Sequence, residues 1–504
     1  MRKAAILFML FTILSKIFGF AREIVLAYFF GASNVSDAYI ISSTIPVIIF
    51  GVIGAGVSTA FIPLYTRIKN LHGDREGIKF TNNIINIFLI ITSIIFILSE
   101  IFTSELINIF ASGFVGETLH LTVTFTRISL IGIYFSCLIY ILTGFLQVNN
   151  QYSITVLVGL PLNLIIIISI ILSANTNVLI LAIGSVLAIA VQLFILLRFA
   201  YKKGFQYEFR INIRDVNVKE MINIAIPVII GVSMDQINAL IDRTLASQIV
   251  IGGVSALNYA NKLNGFVQGI FVLSIITVLF PKISKLAIER KVNDLKKSVS
   301  NALVSIQLLV LPIVAMLVVF TKPIISLLFG RGSFDEQAIT LTSDALFYYS
   351  FGILAIGLRE VLARVFLSLK DSKTPMINSS IAMLLNIVLN LILSKFMGIG
   401  GLALATSISA FFATFLMFIT LRRKIGSFNL KTVIFSFIKI LIATFIMAII
   451  SVLCFQKISI LWSQNLSLVI SIIIGVVSYI TIIYFMKIDI VSELFHSIRT
   501  KKKG

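Results

Sequence analysis

Charge is scarce in this chain. Asp, Glu, Lys and Arg make up 12% of its 504 residues, against roughly 25% in an ordinary soluble domain. That excludes a soluble enzyme or binding module of this length. The two cysteines, Cys137 and Cys454, sit in separate apolar stretches, which excludes a disulfide framework and a zinc site. The three histidines, His72, His120 and His496, are isolated from one another. No Gly-x4-Gly-Lys-Ser/Thr loop and no His-Glu-x-x-His occurs, so neither P-loop ATP hydrolysis nor zinc peptidase chemistry is expected. No polar stretch is long enough to house a catalytic domain. The chain reads as a non-enzyme without a resident cofactor or a firm metal site. Alternation of apolar and polar residues over strand-length segments is also missing, which argues against a membrane β-barrel.

Apolar residues fill the space that charge leaves: 58% of the chain is hydrophobic and the mean hydropathy is +1.06. Fourteen apolar segments stand out, at about 4–31, 36–66, 77–102, 122–147, 154–174, 177–200, 219–247, 253–280, 297–321, 337–369, 373–396, 399–422, 430–454 and 461–486. Each approaches or exceeds the ~20 residues that cross the hydrocarbon as a helix. The expected fold is an all-α polytopic membrane protein with fourteen transmembrane helices. Of the 41 Lys and Arg, 29 fall in the termini and alternate loops that would be cytoplasmic if both termini are, only 4 fall in the opposite loops, and 8 lie within apolar segments. This bias places both termini in the cytoplasm. It also accounts for the net charge of +20 without a nucleic-acid partner. Arg2-Lys3 followed by an apolar run imitates a signal peptide. Apolar sequence resumes directly after Arg22-Glu23, so an uncleaved first helix is the better reading.

An internal repeat divides the chain. Asp37 and Pro63 are 26 residues apart, as are Ser255 and Pro281; adjacent opposite charges, Arg22-Glu23 and Asp242-Arg243, precede each pair. Pro161-Leu-Asn163 and Leu385-Asn386 extend the match at an offset of about 218–223 residues. The repeat predicts two six-helix lobes related in parallel, 1–200 and 219–424, with a cleft between them where transporter sites usually lie. Residues 201–218 form an interfacial cytoplasmic linker, expected to be partly amphipathic helix because Lys and Arg interleave with Phe and Tyr. Residues 425–504 supply two further helices and a basic tail ending in Lys501-Lys-Lys503.

Charge within apolar segments is costly, roughly 2.5–3.5 kcal/mol on insertion scales, and marks cavities or partners. Lys16, Arg22, Glu23 and Asp37 lie on the first two segments; Asp235, Asp242, Arg243 and Lys262 lie on the seventh and eighth. Structural ion pairing competes with ligand binding for all of these. Glu360 and Arg364 have the i,i+4 spacing of a local ion pair. Lys16, Arg22 and Lys262 are better read as cations for an anionic ligand, since Arg grips phosphate bidentately and Lys acts as a point charge. Gly19, Gly31, Gly51, Gly54 and Gly56 permit either close packing or bending. Asp242, Asn386, Asn390 and Thr406 offer hard oxygens that suit Na⁺, with interhelical hydrogen bonding as the stronger competing reading.

The run Ser15-Lys-Ile-Phe-Gly-Phe-Ala-Arg-Glu23, with Phe30-Gly-Ala-Ser33 and Ser36-Asp-Ala-Tyr39, resembles the N-terminal signature of the MurJ/MviN lipid II flippases of the MOP superfamily. Further matches are Ala60-Phe-Ile-Pro63, Ser255-Ala-Leu-Asn-Tyr-Ala-Asn-Lys262, Phe329-Gly-Arg-Gly-Ser-Phe334 and Asp371-Ser-Lys-Thr-Pro375. The resemblance implies a multi-pass transporter of the bacterial cytoplasmic membrane, acting as a monomer on lipid II. A cationic cavity would take the pyrophosphate headgroup at Lys16, Arg22, Glu23, Asp37 and Lys262, and a groove at the last two helices would take the polyprenyl tail. Two of these positions carry Lys where the family commonly has Arg. Phe50, Gly51 and Ala55 stand where many relatives have charge, so those headgroup contacts do not carry over. Energy would come from membrane potential or an ion gradient. The competing functions are a multidrug or cation antiporter or another polyprenyl-linked saccharide flippase of the superfamily, and a scaffold for wall assembly that transports nothing.

Overall fold

The computed structural model describes residues 2–427 and 430–486, and within these the chain is helical with no strand. The basic 501–503 end lies outside the described residues. Helix covers the body of every expected apolar segment. Ten of the described helices are long and apolar enough to cross a membrane, or eleven if Gly116–Leu130 and Gly132–Val148, bent by 41°, form one span. The expected segments 373–396 and 399–422 run together as Lys373–Ile425, broken at Gly398, whose backbone takes φ 55° and ψ −132°. Only glycine adopts that conformation readily.

Two compact units emerge: Met1–Ser255 with Arg331–Asp335, and Ala256–Gly330 with Glu336–Gly504. In the first, Arg2–Phe30 is followed by Asn34–His72. Ser33 caps the second helix in extended conformation, its hydroxyl accepting from the Ser36 amide at 3.4 Å. Asp37 in the first turn complements the helix dipole. The core is aromatic: Tyr65 lies 5.5 Å from both Phe61 and Phe145, and Phe145 lies 5.6 Å from Phe205. A Cβ on Gly54 would fall 2.3 Å from the Tyr140 ring, and one on Gly56 2.6 Å from Ile229, so both glycines serve close packing.

The 201–218 linker, expected to be partly amphipathic helix, is helical only at its two ends. Residues 203–215 carry no helix beyond the end of Leu179–Lys202, and helix resumes only at Val216–Ile249, where Asp215 accepts from the Asn217 amide at 2.9 Å. The reason is competition for the backbone: side-chain amides of Asp74–Ile101 bind carbonyls of residues 206–212.

In the second unit, Glu336–Ser368 packs on Lys373–Ile425, and Val292–Val319 packs on both Glu336–Ser368 and Leu430–Ile458. Leu430–Ile458 also packs against Gln464–Phe485. Between Gly253–Val267 and Leu273–Ile288 the helix widens into one π turn at Gln268–Val272. The expected Glu360–Arg364 pair is not formed among the described residues; the Arg364 guanidinium instead lies 5.9 Å from the Phe280 ring centroid. A cation over an aromatic face is favourable where water is thin. Lys439 donates to the Met486 carbonyl at 3.0 Å and sits 4.8 Å from the Phe435 ring, which explains one intramembrane cation without a ligand.

Candidate functional site

Arg22 and Glu23 are consecutive on the first helix, and their side chains close on each other: Arg22 Nη2 lies 2.6 Å from Glu23 Oε1. The Arg22 side chain keeps 23% of its surface and that of Glu23 only 6%. Arg22 Nη1 also donates to Asn163 Oδ1 at 3.3 Å. Asn163 is itself held, its Nδ2 donating to the Gly159 carbonyl at 2.8 Å. A Cβ on Gly159 would fall 2.4 Å from Ser15 Oγ, so this glycine lets Gly159–Asn175 approach the first helix beside Lys16. Arg22 is thus positioned by two partners that use two of its five N–H donors. The remainder suit an anion. Lys16, half-buried, forms no ion pair among the described residues. Tyr39 hydroxyl and Ser185 Oγ, 2.8 Å apart, complete the polar surroundings of this unit's first helices.

Asp37 has other partners. It is 1% exposed, and its two oxygens accept from the amides of Gly252 at 2.8 Å and Ser255 at 2.7 Å. A carboxylate so used is a backbone clamp. The turn before it is equally built. Gly31 has φ +60°, and a Cβ there would fall 2.3 Å from the Ser333 carbonyl oxygen. The Ser333 amide donates to the Tyr28 carbonyl at 2.8 Å and its hydroxyl to the Phe29 carbonyl at 2.9 Å, while Ser36 Oγ donates to the Gly31 carbonyl at 2.8 Å. Ser333 therefore satisfies two of the last carbonyls of the first helix, which would otherwise lack partners.

Lys262 lies exposed in the second unit on Gly253–Val267. Of the expected cation ligands, Asp242 is buried in the first unit, while Asn386, Asn390 and Thr406 belong to the second. There Asn390 Nδ2 donates to Asn386 Oδ1 at 2.8 Å and Asn386 Nδ2 to Thr406 Oγ1 at 3.4 Å. The first bond lies within one helical segment and the second crosses the break at Gly398, and together they gather three hard oxygens. Asn163 was visible in the sequence only as a repeat marker. Its role depends on a neighbour 141 residues away, which no local pattern reveals.

Residues 26–474 match the family model described as lipid II flippase MurJ. The chain is 28% identical over 422 residues to the probable lipid II flippase MurJ of Buchnera aphidicola subsp. Baizongia pistaciae, covering 82% of each. It is 27% identical over 424 residues to the lipid II flippase MurJ of Burkholderia cenocepacia, again covering 82% of each. Among solved structures, a lipid II flippase MurJ in an inward closed conformation superposes with a TM-score of 0.85 at 27% identity, covering 96% of this chain and all of that one. An inward-facing multidrug MATE transporter of the MOP superfamily shares the fold alone, with a TM-score of 0.69 at 16% identity over 84% of this chain and 98% of that one. With the match running through nearly the whole chain, the protein belongs to the lipid II flippase MurJ family.

Proposed function

We propose that this protein moves lipid II, the polyprenyl-pyrophosphate-linked peptidoglycan precursor, from the inner to the outer leaflet of the bacterial cytoplasmic membrane. Membership of the family carries the activity; the placement of Arg22 carries the residue-level reading. A pyrophosphate cannot enter hydrocarbon unaided, because an unpaired charge there loses its hydration. A partly buried guanidinium, held by Glu23 and Asn163 with donors to spare, replaces that hydration. Lys16 supplies a point charge for phosphate in the first unit and Lys262 one in the second, and the prenyl tail stays in lipid along Leu430–Ile458 and Gln464–Phe485. The working topology is fourteen spans with both termini cytoplasmic, two six-helix lobes at 1–200 and 219–424 working by alternating access, and a monomer as the functional unit.

No P-loop supplies energy, so membrane potential acting on charge, worth about 2.3 kcal/mol per charge per 100 mV, is the simplest driving force. Of the expected cation ligands, Asn386, Asn390 and Thr406 of the second unit offer a second coupling, to Na⁺. The deciding experiment is complementation of a bacterium depleted of its lipid II flippase, with outer-leaflet lipid II measured directly. Rescue with restored exposure is expected. Growth without restored exposure would favour a wall-assembly scaffold, and neither growth nor exposure from a well-expressed protein would refute the function.

A further inference from the structure

Residues 204–214 run without helix across the start of Asp74–Ile101, tied down by three asparagines of that helix. Asn82 Nδ2 donates to the Gln206 carbonyl at 2.8 Å, and Asn86 Nδ2 to the Arg210 carbonyl at 3.1 Å. Asn83 makes a two-way bond with Asn212, accepting from its amide at 2.6 Å and donating to its carbonyl at 3.0 Å. All three asparagines are buried. Phe205 packs into the aromatic core at one end, and the Tyr207 hydroxyl donates to Asn86 Oδ1 at 2.7 Å. The segment is a strap fixed through its backbone.

That leaves its side chains for something else. Phe209 is 78% exposed and Ile213 64%, with Ile211 between them also exposed. Apolar residues at 207, 209, 211 and 213 alternate with polar ones at 206, 208, 210, 212 and 214. Lys202, Lys203, Arg210 and Arg214 oppose a single acidic residue, Glu208, between 202 and 214. Non-helical backbone of this kind cannot face the hydrocarbon, because its remaining amides and carbonyls need water or headgroups. Bulky apolar tips interleaved with cations suit the boundary layer, where rings reach the acyl region and cations meet phosphates.

We propose that this strap is a binding surface for anionic phospholipid: Phe209 and Ile213 enter the interfacial layer while Lys202, Lys203, Arg210 and Arg214 hold phosphate headgroups. Charge complementarity selects the occupant, since a zwitterionic surface offers no net attraction to the four cations. The surface is independent of Arg22 and of the substrate.

The chain's one tryptophan, Trp462, makes a direct test possible. Trp462→Phe with Phe209→Trp places a single fluorophore on the strap of the full-length protein. It is reconstituted in nanodiscs of phosphatidylcholine, with or without phosphatidylglycerol, and the acyl chains carry bromine. Phosphatidylglycerol should at least double the quenching by bromine and lower that by aqueous acrylamide. Lys202→Gln with Lys203→Gln, both at exposed positions, should reduce the lipid dependence; adding Arg210→Gln and Arg214→Gln should abolish it. A matched control removes Lys282, Lys285, Arg290 and Lys297 in the same way and should keep it. Equal bromine quenching with and without phosphatidylglycerol overturns the proposal. Free access of acrylamide in both lipids, or an equal loss in the control, overturns it too.

Discussion

Arg22→Ala should damage this protein twice, and the two effects can be separated. The Glu23 side chain retains 6% of its surface and its carboxylate lies 2.6 Å from Arg22 Nη2. Removing the arginine leaves a carboxylate with little water. Breaking a buried pair from one side costs about 3–5 kcal/mol. Arg22 is only partly buried, so the lower end of that range, about 3 kcal/mol, is the expected loss. Arg22→Gln with Glu23→Gln removes both charges together. It leaves two amides that can bond to each other and to Asn163, and it should recover most of the lost stability. It should not recover transport, because no cation remains at that position. Thermal unfolding in detergent and complementation with measured outer-leaflet lipid II would be run on the parent, the single and the double variant. A double variant as stable as the parent yet inactive separates headgroup binding from ion pairing. A double variant that flips lipid II at the parental rate refutes the assignment of Arg22 to the headgroup.

Lys262→Arg should complement and Lys262→Glu should not, read as growth under depletion; normal growth with Glu would remove Lys262 from the headgroup site. Gly31→Ala should destabilise by more than about 1 kcal/mol, since it adds a Cβ at φ +60° and 2.3 Å from the Ser333 carbonyl oxygen; an unchanged melting temperature would show that this turn relaxes freely. Asp371, between the helices Glu336–Ser368 and Lys373–Ile425, is held down at about 2 by Lys424, with further help from the Thr374 amide. A folded value depressed below the unfolded ~3.9 means that its stabilisation is full above pH ~4 and fades as pH falls toward 2. Asp371→Asn should flatten that part of the acid-unfolding profile, and superimposable profiles would refute the pairing. Exchanging Na⁺ for K⁺ should shift the melting temperature of the parent and not of Asn390→Ala; identical curves in both salts would rule out Na⁺ at Asn386, Asn390 and Thr406.

Much was legible because a bilayer leaves few choices. Hydrocarbon forces backbone groups into helices, so apolar run length alone located the helical segments, and the break expected between 396 and 399 falls at Gly398. Composition excluded soluble chemistry, and the charge pair at Arg22 and Glu23 announced itself by its cost in an apolar run. The signature from Ser15 to Tyr39 carried the family.

What sequence could not supply is partner choice over long separations. Asp37 and Arg22 looked alike as charges near the start of the chain. Folding gives Asp37 to the amides of Gly252 and Ser255, while Arg22 is held by the side chains of Glu23 and Asn163. The Glu360–Arg364 spacing predicted a pair, but Phe280 supplies a competing ring over Arg364. The 203–215 segment had the composition of an amphipathic helix, and three asparagines more than a hundred residues earlier took its carbonyls instead. Helix formation is local, so the sequence by itself determined it. Which polar group satisfies which is decided only when distant segments meet, because a buried hydrogen-bonding group accepts whichever partner the packed chain brings within reach.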